Sequence, residues 1–263
     1  MTIPSSEPRS PLPPADTREG IDLSIVIPAF NEAARIGPTL DAIRTFLPGS
    51  GLCAEILVVD DGSSDDTTGR VRERIPATPG LRLLSNGRNR GKGFSIRHGV
   101  CESRGSLVLL TDADLSTPIE ELDRLLPAVR ETGCGIAIGS RALDPSRVKI
   151  RQGRIREMLG KGFNLLVRGL TGLSIRDTQC GFKLLDRQAL LPVFRMARVD
   201  RFSYDVEILY LAQRRRIRIA EVPVIWRNSP QSRVRILLDP LQMLWDLVRM
   251  IVRDRMGGYS EAP

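Results

Sequence analysis

The sequence predicts an α/β fold: a Rossmann-like, mostly parallel sheet with helices on both faces, followed by a C-terminal amphipathic helix. Two observations carry this. Short apolar, β-branched runs recur at Leu23–Ala29, Glu55–Asp60, Leu81–Ser85, Leu107–Thr111 and Gly135–Gly139, and segments of helical spacing separate them at Glu32–Phe46, Asp65–Arg74, Phe94–Ser103 and Ile119–Glu131. Strands apolar throughout belong in a sheet covered on both faces, and strand–helix alternation gives parallel order. Ligands of such sheets collect outside the carboxyl ends of the strands.

Each further segment follows in order. Residues 1–20, rich in Pro, Ser and charge without periodicity, predict a disordered leader before a domain over 21–229. No basic start followed by an apolar stretch marks a signal peptide. Past Ser140 the polar, Arg-rich stretch 142–156 (ALDPSRVKIRQGRIR) reads as a mobile loop. A helix over Met158–Leu170, a strand over Phe182–Leu185, a helix over Tyr204–Arg214 and a strand over Ile217–Val224 follow. Within 230–256, Leu241, Leu244, Trp245, Val248, Ile251 and Val252 share one helical face, with Leu237 on the same side, and Arg233, Arg235, Arg249, Arg253 and Arg255 surround it. This basic amphipathic helix fits a membrane interface or packing on the domain equally well, and 257–263 form a tail. No uninterrupted apolar run reaches the about 20 residues a bilayer crossing needs.

Composition narrows the partners. A net charge of +8 attracts polyanions, but aromatics are only 5% of the 263 residues, so the stacking platforms of single-strand nucleic-acid binders are sparse. Phosphorylated substrates and anionic membrane surfaces remain, and nucleic acid is excluded for want of a motif. Cys53, Cys101, Cys134 and Cys180 show no C-x-x-C spacing, which argues against zinc or a disulfide framework and fits a reducing cytoplasm.

Acidic residues mark the strand ends. Asp112 and Asp114 follow the run LVLLT, where two carboxylates one residue apart can share a hard divalent cation such as Mg2+ or Mn2+. Asp114, Ser116 and Thr117 would equally serve as a solvated loop and cap before the helix over Ile119–Glu131. Asp60-Asp61-Gly62-Ser63 ends the second run, and Pro28-Ala29-Phe30-Asn31-Glu32 ends the first. Three such clusters around one crevice point to a site. Asn89-Arg90-Gly91-Lys92-Gly93 precedes a helix, so its amides and Lys92 can meet an anion, although the Walker spacing is missing. His98, the only histidine, lies inside a predicted helix and reads as structural.

Taken together, IVIPAFNE, VVDDGSSDDT, NRGKGFSIRHG, DADLSTP, GSR and DTQCGFKLL resemble, in this order, the inverting nucleotide-sugar glycosyltransferases of family two, which have the GT-A fold. DADLSTP, DTQCGFKLL and FSYDVEIL are similar to the dolichyl-phosphate (polyprenyl-phosphate) beta-glucosyltransferase branch. The resemblance, from about Leu23 to Trp245, implies that Pro28, Glu32, Asp60 and Asp61 bind the nucleotide, Asp61 reading its base. It implies metal and diphosphate on Asp112 and Asp114, and acceptor phosphate on Arg141 with Arg156. The tract Asp177–Lys183, with Gln179 within it, would line the sugar and acceptor pocket. The sequence reading expects no membrane anchor of the kind such relatives carry, so the basic C-terminal helix is the expected membrane contact, on the cytoplasmic face.

The expected reaction is a displacement with inversion that moves a hexose, glucose from UDP-glucose by the branch resemblance, to dolichyl or undecaprenyl phosphate. A phosphate monoester with its second pKa near about 6 is ionised at neutral pH and needs no general base. A hydroxyl acceptor would need one, with Asp205 or Asp177 as the carboxylate. A non-catalytic, membrane-recruited nucleotide binder on the same sheet is the alternative of another class.

Overall fold

The computed structural model describes residues 20–150, 154–227 and 238–259. The strands are β1 (Leu23–Ala29), β2 (Ala54–Asp60), β3 (Leu81–Ser85), β4 (Leu107–Leu110), β5 (Ile136–Ser140), β6 (Val148–Ile150), β7 (Lys183–Asp186), β8 (Ile219–Pro223) and β9 (Trp226–Arg227). The helices are α1 (Ile36–Ser50), α2 (Thr67–Arg72), α3 (Lys92–Glu102), α4 (Leu122–Arg130), α5 (Arg154–Thr171), α6 (Arg187–Met196), α7 (Tyr204–Arg214) and α8 (Leu238–Arg255).

Seven strands form one sheet in the order β3-β2-β1-β4-β7-β5-β8. β1 pairs in parallel with both β2 and β4, and only β7 runs against its neighbours β4 and β5. Ile25, Ile27, Ile56, Val58 and Leu109 are fully buried, as apolar strands covered on both faces require. α3, α6 and α7 pack on one another over one face of the sheet; right-handed crossovers put α1 and α2 on the other. The chain steps from β1 outward to β2 and β3, then returns past β1 to β4. That reversal opens a crevice at the carboxyl ends of β1, β2 and β4.

The sheet strands agree with the sequence reading to within a residue or two, and three local differences stand out. The first helix begins at Ile36, not Glu32, because Asn31 sits in the left-handed region (φ +53°) and the following turn is tied to the loop after β2. There Glu32 N donates to Thr67 Oγ1 at 2.7 Å, and Asn31 Oδ1 accepts from Ser64 N at 2.7 Å. The expected mobile loop is partly ordered: β6 pairs with β9, and α5 begins at Arg154. α6 was not expected, its pattern being broken by Pro192 inside the helix. The expected leader over 1–20 falls, except for Gly20, outside the described residues, as do Arg151, Arg233 and Arg235.

α3 can approach the sheet only because Gly99 has no side chain. A Cβ there would lie 2.4 Å from Val26 Cγ1 on β1 and 3.1 Å from Val59 Cγ2 on β2. Gly99→Val should therefore cost about 1–3 kcal/mol by overpacking. The check is a urea titration, with a lower midpoint and unchanged m expected; an unshifted midpoint would mean the helix slides freely.

Candidate active site

At the ends of β1 and β2, carboxylates shape the loops. Asp60 accepts from Gly62 N and Ser63 N, each at 3.2 Å, and so closes the turn that begins with it. Asp61, 4% exposed, accepts from Asn86 Nδ2 at 2.7 Å, Arg90 N at 2.9 Å and Gly91 N at 2.8 Å. It thereby clamps the glycine-rich turn before α3 onto β2. Gly91 is required there, since its φ is +105° and a Cβ would meet Asp200 O at 2.3 Å. Asn86 also contacts His98 Nδ1 at 2.8 Å, the structural part expected of that histidine. Glu32 is gripped by both Nε and Nη2 of Arg35 at 2.6 Å, and Arg35 lies 3.5 Å from Asp114. Pro28 lies half-buried on β1, beside Val59.

At the end of β4, Lys92 Nζ meets Asp112 Oδ1 at 2.5 Å, with the two side chains 27% and 36% exposed, so the pair faces the crevice. Burial works against the Lys92 ammonium, but Asp112, Asp205 and Asp114 outweigh it and hold its pKa above the usual lysine value. Burial likewise opposes the Asp112 carboxylate, and Lys92, Lys183 and Arg141 hold its pKa below the usual range. Asp114 accepts from Ser116 N at 3.0 Å and so closes a turn in the loop rather than capping a helix, since Pro118 and Glu121 hold the cap positions without a side-chain bond; Leu115 adopts φ +43°. No cluster of three or more His, Cys, Asp or Glu gathers among the described residues. Two strand-end carboxylates fit Mg2+ or Mn2+, ions that complete their shells with water and substrate phosphate rather than a protein cage.

The other wall of the crevice comes from β5 and the loop before β7. Because β7 is antiparallel, its preceding loop arrives at the same sheet edge where the parallel strands end. Arg141 forks Asp177 through Nε and Nη2, both at 2.7 Å, and its Nη1 carries two further donors. Its guanidinium carbon stands 5.3 Å from the Trp226 ring. Burial pushes the Asp177 carboxyl up, yet the Arg141 fork outweighs it and holds the pKa below the usual range. Glu221 on β8 fixes the loop by accepting from Arg176 N at 2.9 Å and from Asp177 N at 3.0 Å. Gly181 lets the same loop touch Asp112, since a Cβ would lie 2.3 Å from Oδ2.

The sequence-derived residues thus divide. Asp112, Lys92, Asp114 and Arg141 stand around one crevice, with Gln179 half-buried on the adjoining loop. Lys183 is 2% exposed and spends its ammonium on Asp205 and the Cys180 carbonyl, a buried pair beneath the site. Tyr204, next to Asp205, is held neutral: burial first, then the Asp205 and Asp112 charges, push its pKa well above the usual value. Arg156 falls in the first turn of α5, and its side chain lies outside the described residues. Arg35, Glu221 and Trp226 were missed. Arg35 alone left a signal, one helical turn after Glu32.

Residues 24–194 match the family model of Glycosyl transferase family 2. The sequence is 35% identical to a dolichyl-phosphate beta-glucosyltransferase of Trichomonas vaginalis, over 98% of this chain and 79% of that one. It is 36% identical to those of Dictyostelium discoideum and Saccharomyces cerevisiae, over 92% of this chain and 77% and 78% of theirs. The fold is similar to glucosyl-3-phosphoglycerate synthase from Mycobacterium tuberculosis, crystallised with Mn2+, UDP-glucose and phosphoglyceric acid. That likeness has TM-score 0.64 at 22% identity, over 90% of this chain and 80% of that one.

Two stability tests follow from the ion pairs. Lys183→Met strands a buried carboxylate and should cost about 3–5 kcal/mol, most of it recovered when Asp205→Leu is added; thermal unfolding reads both. Arg141→Met should behave differently with pH. In the native chain the depressed Asp177 pKa contributes stability above the unfolded carboxylate value of about 3.9, lost as pH falls through the folded value. Without Arg141 the buried Asp177 carboxyl rises instead, so the deficit against wild type should be largest at pH 7 and shrink towards about pH 4. A deficit constant with pH would contradict the pairing.

Proposed function

Because the chain belongs to glycosyl transferase family 2, we propose that it transfers glucose from UDP-glucose to a polyprenyl phosphate, with inversion at the anomeric carbon. One observation carries the choice of acceptor. The two carboxylates available to deprotonate a hydroxyl, Asp177 and Asp205, are both engaged with cations, Arg141 and Lys183. Such carboxylates are poor bases, whereas an ionised phosphate requires none. The homologues named dolichyl-phosphate beta-glucosyltransferase support the same acceptor and sugar.

In this reading each wall of the crevice has one task. Asp61 accepts three donors, and a carboxylate has about four acceptor positions, so one remains for a base N–H of the nucleotide. Pro28, Asp60 and Glu32 with Arg35 form the floor under the nucleotide, and Lys92 turns its charge to the diphosphate. Asp112 and Asp114 hold Mg2+ or Mn2+, which when bound stabilises the departing nucleoside diphosphate. Arg141 receives the acceptor phosphate through its remaining donors, with Arg156 as a second cation and Gln179 lining the sugar pocket. Asp177 acts by orienting Arg141, and Lys183 with Asp205 supports the floor from below. The acceptor is a membrane lipid, and the free cysteines fit a cytoplasmic membrane face.

The test is transfer of labelled glucose from UDP-glucose to purified polyprenyl phosphate. A mild-acid-labile lipid product is expected, abolished by EDTA and restored by Mn2+ or Mg2+. Asp112→Asn should lower turnover by about 10²–10³-fold, the order found when one charge-stabilising group is removed. Arg141→Met should raise KM for the lipid and leave KM for UDP-glucose unchanged. Full activity after metal stripping would reject the Asp112–Asp114 assignment, and transfer only to hydroxyl acceptors would reject the lipid.

A further inference from the structure

The glycine-rich turn before α3 is gripped from two sides. Asp61 clamps it to β2, and the segment 197–203 between α6 and α7 closes it from behind. Phe94 N, in the first turn of α3, donates to Asp200 O at 3.0 Å, answering an amide that a helix start leaves without an intrahelical partner. Arg97, further along α3, pairs with the Asp200 carboxylate. The approach is close: a Cβ on Gly93 would lie 2.5 Å from Val199 O and 2.9 Å from Arg201 O. Lys92, between Gly91 and Gly93, therefore takes its position from a segment that is neither helix nor strand.

One side chain holds that segment. Glu207, fully buried in the first turn of α7, accepts from Arg198 N at 3.0 Å and from Val199 N at 2.8 Å. Its third donor is the hydroxyl of Tyr259, beyond α8. Burial, and then the Glu207 charge, push the Tyr259 pKa above the usual tyrosine value, so the hydroxyl stays a donor at any ordinary pH. α8 delivers this residue by packing through Met243, Leu247 and Met250, all buried, whereas Leu241 and Trp245 of the face read from the sequence are exposed.

We infer that Glu207 is a positioning residue for the donor side of the crevice. It fixes the 197–203 segment, which seats the first turn of α3 and so holds Lys92 where it meets Asp112 and the donor diphosphate. The diphosphate part of this rests on the UDP-glucose reading; the seating of the turn does not. α7 then serves both walls within one turn, since Asp205 pairs with Lys183 beneath the site while Glu207 reaches the back of the donor side.

The experiment compares wild type, Glu207→Leu and Glu207→Gln by calorimetric titration with UDP and Mn2+, and by amide hydrogen exchange over residues 90–95. Leucine leaves both amides without an acceptor, whereas glutamine keeps a carbonyl oxygen for them. Glu207→Leu should exchange faster across the turn and bind UDP about 10–100-fold more weakly, the range found when a group that orients a ligating residue is removed. Its KM for polyprenyl phosphate should stay unchanged, and Glu207→Gln should recover most of both losses. Gly93→Ala forces the same contact apart from the α3 side, should reproduce the weaker UDP binding, and carries the test if Glu207→Leu does not fold. A purely structural Glu207 would lower the unfolding midpoint and leave exchange at the turn and UDP affinity unchanged, which overturns the proposal. So does an equal loss towards UDP and polyprenyl phosphate, or undiminished UDP binding by Gly93→Ala. Faster exchange at the turn of the variant, with no UDP binding by the wild type, would keep the seating and remove the UDP-glucose reading.

Discussion

Carboxylates taken out of water along one edge of a sheet must each be met by amides or by a cation, because an unpaired buried charge costs several kcal/mol. The molecule meets this requirement in two ways. Asp60, Asp61 and Glu207 are answered mainly by backbone amides, and the answering segments become fixed loops. Asp112, Asp177 and Asp205 are answered by Lys92, Arg141 and Lys183. The first kind of pairing gives the crevice its walls. The second sets one cation against each remaining carboxylate, two of the three cations being part-exposed and one sealed beneath. Structural pairing and the proposed phosphate binding therefore draw on the same cations.

The two walls are coupled where the loop before β7 touches the end of β4. Gly181 sits against the Asp112 carboxylate with no room for a Cβ. Asp112 is also the partner of Lys92 and feels the charge of Arg141. Binding of a cationic or anionic group at one wall consequently changes the field at the other over a single side chain. In the proposed reaction a donor diphosphate and an acceptor must meet in one small volume, and this contact would bound it.

The strands were legible because Val, Ile and Leu runs bounded by turn residues have one physical meaning in an α/β chain. The acidic strand ends were legible once the parallel order was inferred, since parallel strands deliver their carboxyl ends to one edge. Arg141 and the tract from Asp177 to Lys183 came from family resemblance, not from periodicity. What stayed hidden depended on partners far away in sequence. Glu221 reaches Asp177 from 44 residues away, and Asn31 reaches Ser64 from 33, holding the chain in a turn where a helix was expected. Lys183 was placed in the pocket with that tract, while its neighbours on β4 and β5 enclose it. For α8 the apolar spacing was correct, but spacing cannot say which of two apolar sides meets the domain.

The reversed strand β7 has a consequence for assembly. It lies between β4 and β5, yet it follows β5 in the chain by more than 40 residues. During synthesis β1 to β4 can associate from the first 110 residues, leaving one side of β4 without a hydrogen-bonding neighbour until residue 186 has emerged. β5 waits over the same interval with neither of its final partners, because β8 comes later still. Non-local insertions of this kind are slow and expose unpaired edges. The half of the sheet that bears Asp61 and Asp112 can thus be a finished scaffold on the ribosome before the strand that delivers the second wall joins it.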